Sequence, residues 1–238
     1  MDNINAASDF KIVNGVLVKY KGKSSHVTVP DHVKSIGPKA FFYCLSLVSI
    51  MLPNGLASID NGAFEGCKSL ESIMLPDSLT SVGNETFREC KSLKSIKLPD
   101  NLVSIGYGTF YGCSSLESIS LPNSLAIIGQ YAFKDCKSLE AITLPNSLAS
   151  IESLTFYECE SLKSIKLPKG LASIGYGAFF KCKSLELATF PDSLASIGSY
   201  AFRGCSSLEE IILSAGIQCV ADNAFADCKK LKSISIQI

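Results

Sequence analysis

The sequence predicts a single solenoid of stacked coils with a parallel β-sheet along one side. Two observations predict it. Cysteine recurs every 23 residues, at Cys44, Cys67, Cys90, Cys113, Cys136, Cys159, Cys182, Cys205 and Cys228, and phenylalanine stands three residues before each, from Phe41 to Phe225. Each copy also contains a short alternating apolar and polar run, as in Leu116-Glu117-Ser118-Ile119-Ser120-Leu121-Pro122. A unit this short cannot bury its apolar side alone, so a fixed period in this range marks coils that shield one another by stacking.

Composition agrees with such an array. A repeat array has no single central core, so 238 residues count here as one domain. The 47% hydrophobic content is enough to fill a continuous core, and 22 basic against 22 acidic residues leave no net field to attract nucleic acid or an anionic membrane. No apolar run approaches the roughly 18 to 20 residues that cross a bilayer. The start, Met1-Asp2-Asn3-Ile4-Asn5-Ala6-Ala7-Ser8-Asp9, has neither a basic nor an apolar segment, so either the chain is cytosolic or a signal peptide has been removed.

Taken in order, residues 1–9 are polar and expected to be loosely ordered. Phe10 to Val13 and Val16 to Tyr20 flank Asn14-Gly15, a dipeptide that accepts positive φ at both central turn positions and so predicts a hairpin. Residues 1–26 are read as this start plus a cap on the first coil, and residues 27–238 as an array of about nine repeats. Val27-Thr28-Val29-Pro30 begins a series of ten strands, parallel because every coil runs the same way. Within a coil, Leu116, Ile119 and Leu121 point inward while Ser118 and Ser120 point outward. Proline then ends the strand for want of a donor. The chain turns through Asn123-Ser124, buries Leu125 and Ile128, and enters a short helical turn that sets Ala132, Phe133 and Cys136 on the inward side. The glycine at Gly37, Gly83, Gly106, Gly129, Gly175 and Gly198 gives way to Asp60, Glu152 and Ala221, so positive φ is not expected there.

The pattern Leu-x-x-Ile-x-Leu-Pro-x-x-Leu-x-x-Ile-Gly-x-x-Ala-Phe-x-x-Cys resembles the 23-residue leucine-rich repeat of the BspA-like group of bacterial and protist proteins, over about residues 27 to 238. The preceding hairpin resembles that group's amino-terminal cap. The resemblance implies a leucine-rich repeat solenoid: a right-handed coil with a parallel concave β-sheet and short helical turns on the convex side. It also implies a cell-surface or extracellular role, including adhesion to host matrix proteins.

Departures from the pattern are local. Ala188 and Phe190 replace the usual Ile and Leu, an exchange that conserves volume. Ser214 replaces a proline and Cys219 a serine, and the last strand, near Ile236, has no obvious cap, which offers an edge for self-association.

No catalytic constellation emerges, so no enzyme and no cofactor are expected. There is no C-x-x-C, and the only histidines are His26 and His32, without a recognisable nucleophile or carboxylate partner. Equivalent cysteines on adjacent coils stand too far apart for a disulfide and are read as buried thiols, with Cys219 the exposed one. Gly106-Tyr107-Gly108-Thr109-Phe110-Tyr111-Gly112 resembles a phosphate-binding loop, but a 23-residue coil cannot supply the βαβ unit that such a loop needs. Asn84-Glu85-Thr86 is a glycosylation pattern that coincidence explains.

The functional candidate is the outer face of the sheet. One row runs Met51, Met74, Lys97, Ser120, Thr143, Lys166, Thr189, and a flanking row runs Glu71, Lys94, Glu117, Glu140, Lys163. Residues that change from copy to copy on an extended concave surface suit recognition of a large partner, here a protein or glycan. A merely solvated face of mixed charge is the competing account of the rows, and a rigid spacer or a cytosolic interaction scaffold the competing function.

Overall fold

A computed structural model describes residues 6–236. The first five residues of the start expected to be loose lie outside the described residues, and Ala7–Asp9 forms one 3₁₀ turn. Phe10–Val13 (β1) and Val16–Tyr20 (β2) pair antiparallel around Asn14 and Gly15, whose φ values are 49° and 77°.

The array is a leucine-rich repeat solenoid built on two parallel ladders. The first holds ten strands: His26–Thr28, Ser49–Met51, Ser72–Ile73, Ser95–Lys97, Ser118–Ser120, Ala141–Thr143, Ser164–Lys166, Leu187–Thr189, Glu210–Leu213 and Ser233–Ile236. Each residue lies opposite its equivalent one copy away, as Ile142 does opposite Ile165. Strand pairing lapses twice, between Ser72–Ile73 and Ser95–Lys97 and again between Ser118–Ser120 and Ala141–Thr143. Beside the second lapse Ile119 and Leu121, expected inward, are only half-buried.

The second ladder was not anticipated. It consists of two-residue strands from Ser35–Ile36 to Cys219–Val220, pairing as Ser104 with Ile127 and Ile105 with Ile128. The hairpin joins this ladder, not the first, through Val16 opposite Ser35 and Leu17 opposite Ile36.

The expected short helical turns are replaced by tight turns. Ala132, Lys134 and Cys136 donate N–H bonds to the carbonyls of Gly129, Tyr131 and Phe133, but Tyr131 (φ 60°) and Asp135 (φ 59°) are left-handed and stop any helix. Equivalent residues in other coils are also left-handed, including Leu154 and Glu158, at about 1–2 kcal/mol for each side chain held there.

Phe41 to Phe225 form one column, with ring centroids 5.0 to 5.5 Å apart. Tyr20 of the hairpin stacks on Phe41 at 5.1 Å and covers the first end of the column. Beside it, each cysteine from Cys67 to Cys228 donates its thiol hydrogen to the phenylalanine carbonyl of the preceding coil at 3.1 or 3.2 Å. Burial pushes these thiols up from their ordinary range, that of half-buried Cys228 to about 11. Ala188 and Phe190 are both buried, Phe190 meeting Phe202 edge to face at 5.6 Å, so the larger ring fills space that the smaller alanine leaves. The recurrent glycine has no positive φ. A Cβ on Gly129 would lie 2.6 Å from the Gly106 carbonyl carbon, so glycine is the close fit there, although Asp60, Glu152 and Ala221 hold a Cβ at the same register in other coils.

Candidate functional site

The first ladder positions the candidate site by strand alternation. Ile96, Ile142 and Ile165 are buried, so their neighbours on either side face outward. Met51, Met74, Lys97, Ser120, Thr143, Lys166 and Thr189 are all exposed in one row, as are Glu71, Lys94, Glu117, Glu140 and Lys163 in the flanking row. Met51 and Met74 are 62% and 83% exposed, unusual for side chains with so much apolar surface.

Two open grooves cross these rows. One of about 690 Å³ is lined by Met51, Met74 and Lys97 with Leu75, Leu98 and Pro99. The other, about 410 Å³, is lined by Ser120, Thr143 and Lys166 with Asn123, Asn146 and Pro145. The first is chiefly apolar, while the second mixes Ile119 and Leu121 with the hydroxyls of Ser120 and Thr143 and the amides of Asn123 and Asn146, so the two grooves differ in chemistry. Each groove spans one of the lapses in strand pairing.

The flanking row neutralises itself only in part, since among the described residues Glu71, Lys94 and Glu117 form no ion pair. Lys163 binds Glu140 of the preceding coil at 3.0 Å and Lys232 binds Glu209 at 3.0 Å, where the lysine's hydrogen bond holds the Glu209 carboxyl below its usual range. Pairs this exposed add little to stability, because water screens them. Among the described residues no ion pair reaches Lys97 or Lys166.

The other sequence candidates resolve as structure. His26 Nδ1 bonds Ser49 Oγ at 2.7 Å. Thr86 of the glycosylation pattern is fully buried and donates to the Gly83 carbonyl, while Asn84 Oδ1 accepts the Tyr107 N–H at 2.9 Å. Gly108 and Gly112 of the glycine-rich stretch are the two left-handed turn residues of their coil. Cys219 is exposed, as expected.

Sequence reasoning missed a strip on the turn side. Lys134 Nζ lies 4.9, 5.7 and 4.8 Å from the ring centroids of Tyr111, Tyr131 and Tyr157, and Tyr157 stacks on Phe180 at 4.9 Å. The signal was present, since Tyr111, Lys134, Tyr157 and Phe180 follow the 23-residue step.

Residues 17–140 and 126–238 match the BspA type leucine rich repeat region, in six copies. The chain belongs to the BspA-type leucine-rich repeat family. Among solved structures, this BspA-type array is similar to a leucine-rich repeat protein of T. pallidum, at 32% identity over 77% of this chain and 91% of that one, with a TM-score of 0.71. It is also similar to the pneumococcal vaccine antigen PcpA, at 25% identity over 89% of this chain and 62% of that one, with a TM-score of 0.59. A leucine-rich repeat protein from Eubacterium ventriosum shares the fold at 20% identity over 94% of this chain and 78% of that one, with a TM-score of 0.57. No curated protein matches the chain. Among the described residues no helix is long and apolar enough to cross a membrane.

Proposed function

We propose that the array is a non-catalytic binding module, acting at the cell surface or after secretion, that holds a protein or glycan on its concave strand face. One observation carries this reading. Along the ladder the buried isoleucines Ile73, Ile96 and Ile142 stay constant while their outward neighbours Met74, Lys97 and Thr143 change chemistry, so the exposed row is free of the demands of packing. The two grooves lend support, because each collects side chains from three coils into one concavity. The surface location draws on the family and on the similarity to a vaccine antigen.

The test is capture from a panel of immobilised matrix proteins and polysaccharides. Ser120→Trp with Thr143→Trp fills the smaller groove without changing its charge, and Tyr176→Ala alters the turn side. The filled groove should abolish capture and the turn-side change should leave it intact. Capture that survives this variant and also Ser72→Trp with Ser95→Trp, which fills the larger groove, would remove the strand face from consideration.

A further inference from the structure

We infer that the strand face carries one cationic site twice, three coils apart, and that together the two copies hold an acidic linear polysaccharide laid across the coils. The inference deepens the strand-face reading and rests on it. Interior packing needs only the 23-residue step, yet the charged positions of the strand face also repeat at 69 residues, although Lys166 is followed at that step by Ser235. Lys97 recurs as Lys166, Glu71 as Glu140 and Glu209, and Lys94 as Lys163 and Lys232. Repetition that the core does not require points to a ligand that is itself periodic.

The geometry gives the spacing. Three successive steps of the phenylalanine column measure 5.5, 5.3 and 5.2 Å, and three strand spacings of about 4.8 Å make about 14 Å, so Lys97 and Lys166 stand roughly 14–16 Å apart along the array. Both ammonium groups are exposed, and their row has no carboxylate from Met51 to Ser235. Lys163, three residues before Lys166, is by contrast already occupied by Glu140, whereas Lys94 before Lys97 has no ion pair among the described residues. Two unclaimed cations in an acid-free row complement two anionic groups.

Hydroxyls predominate among the outward strand residues of the interval, with the unpaired Glu117 on its flank. Ser118, Ser120, Thr143 and Ser164 face outward between the two lysines, and Asn123 and Asn146 rim the groove there. Each hydroxyl both donates and accepts, which suits a polyhydroxylated chain. A polypeptide partner is held chiefly by buried aromatic or other large anchors, and this interval offers no apolar counterpart larger than Ala141 among its outward strand residues.

The test measures binding of the full chain to heparin, polygalacturonate, neutral dextran and poly-glutamate, with unchanged thermal melting required of every variant. Lys97→Ala and Lys166→Ala should each weaken heparin or polygalacturonate binding about ten-fold, and together about a hundred-fold. Lys163→Ala should change it little. Fragments too short to span the distance between Lys97 and Lys166 should lose the added effect of the second lysine. Markedly unequal single effects, or equal binding of poly-glutamate, would overturn the proposal. If neither acidic polysaccharide binds while the groove-filling double variant still loses another ligand of the panel, the ligand class is wrong and the strand face stands. If the acidic polysaccharides bind and no strand-face variant weakens them, both readings fall.

Discussion

The Cys113 thiol donates its hydrogen to the Phe87 carbonyl of the preceding coil at 3.1 Å, and the same carbonyl accepts the Cys90 N–H at 3.1 Å. Burial holds this thiol and its equivalents above their ordinary pKa. In the unfolded chain they ionise near pH 8.5. Their contribution is therefore complete below that pH and declines above it, because the unfolded state then binds fewer protons than the folded one. Each buried thiol should cost up to about 1.4 kcal/mol per pH unit. Urea denaturation should show steady stability from pH 6 to 8 and a steep fall from 9 to 10, less steep in Cys113→Ala. A midpoint unmoved between pH 7 and 10 would contradict the burial argument.

Phe133 lies between Phe110 at 5.5 Å and Phe156 at 5.3 Å, fully buried. Phe133→Ala should cost about 3–5 kcal/mol by opening a cavity in the column. Since each coil touches only its neighbours, it should also weaken the coupling between the two halves and broaden the unfolding transition. Phe225→Ala, at a half-buried ring, should cost less.

Gly129 has backbone in place of open space beside it. A Cβ there would stand 2.6 Å from the Gly106 carbonyl carbon and 2.7 Å from the Tyr107 nitrogen, and neither can rotate away. Gly129→Ala should lower stability by about 1–3 kcal/mol, seen as a lower melting temperature. Gly170→Ala, where the nearest atom is 4.0 Å away, should be near neutral.

Ser214 is buried, and its hydroxyl is the one buried side-chain polar atom among the described residues without a hydrogen-bond partner. It sits where eight other copies have proline, from Pro30 to Pro191, and its carbonyl accepts the Ile217 N–H at 3.2 Å as Pro191 accepts that of Leu194 at 3.0 Å. Ser214→Pro should therefore raise stability by about 1–2 kcal/mol, through a stiffer unfolded chain and the loss of an orphaned hydroxyl. Comparison with Ser214→Ala separates the two effects.

Residues that touch their own copies were the legible ones. Phe110, Phe133 and Cys136 repeat because each packs on its equivalent, so the spacing alone placed them inside. The second ladder escaped because a pair such as Ser150-Ile151 is too short to show alternation. The left-handed turns escaped because Tyr131 and Leu154 do not announce positive φ, which the bonds between coils impose on them. On the strand face the rows could be read from strand alternation. The ion pair of Glu140 with Lys163 and the division into two grooves depend on how adjacent coils align in space.

The ring column from Phe41 to Phe225 works as a ruler graduated in steps of 5.0 to 5.5 Å. Insertion or deletion of one whole copy changes the number of graduations without altering the kind of any interior contact. A lineage of such proteins can therefore reset the distance between two surface lysines in fixed increments by gene duplication alone, matching partners of different length on an unchanged frame.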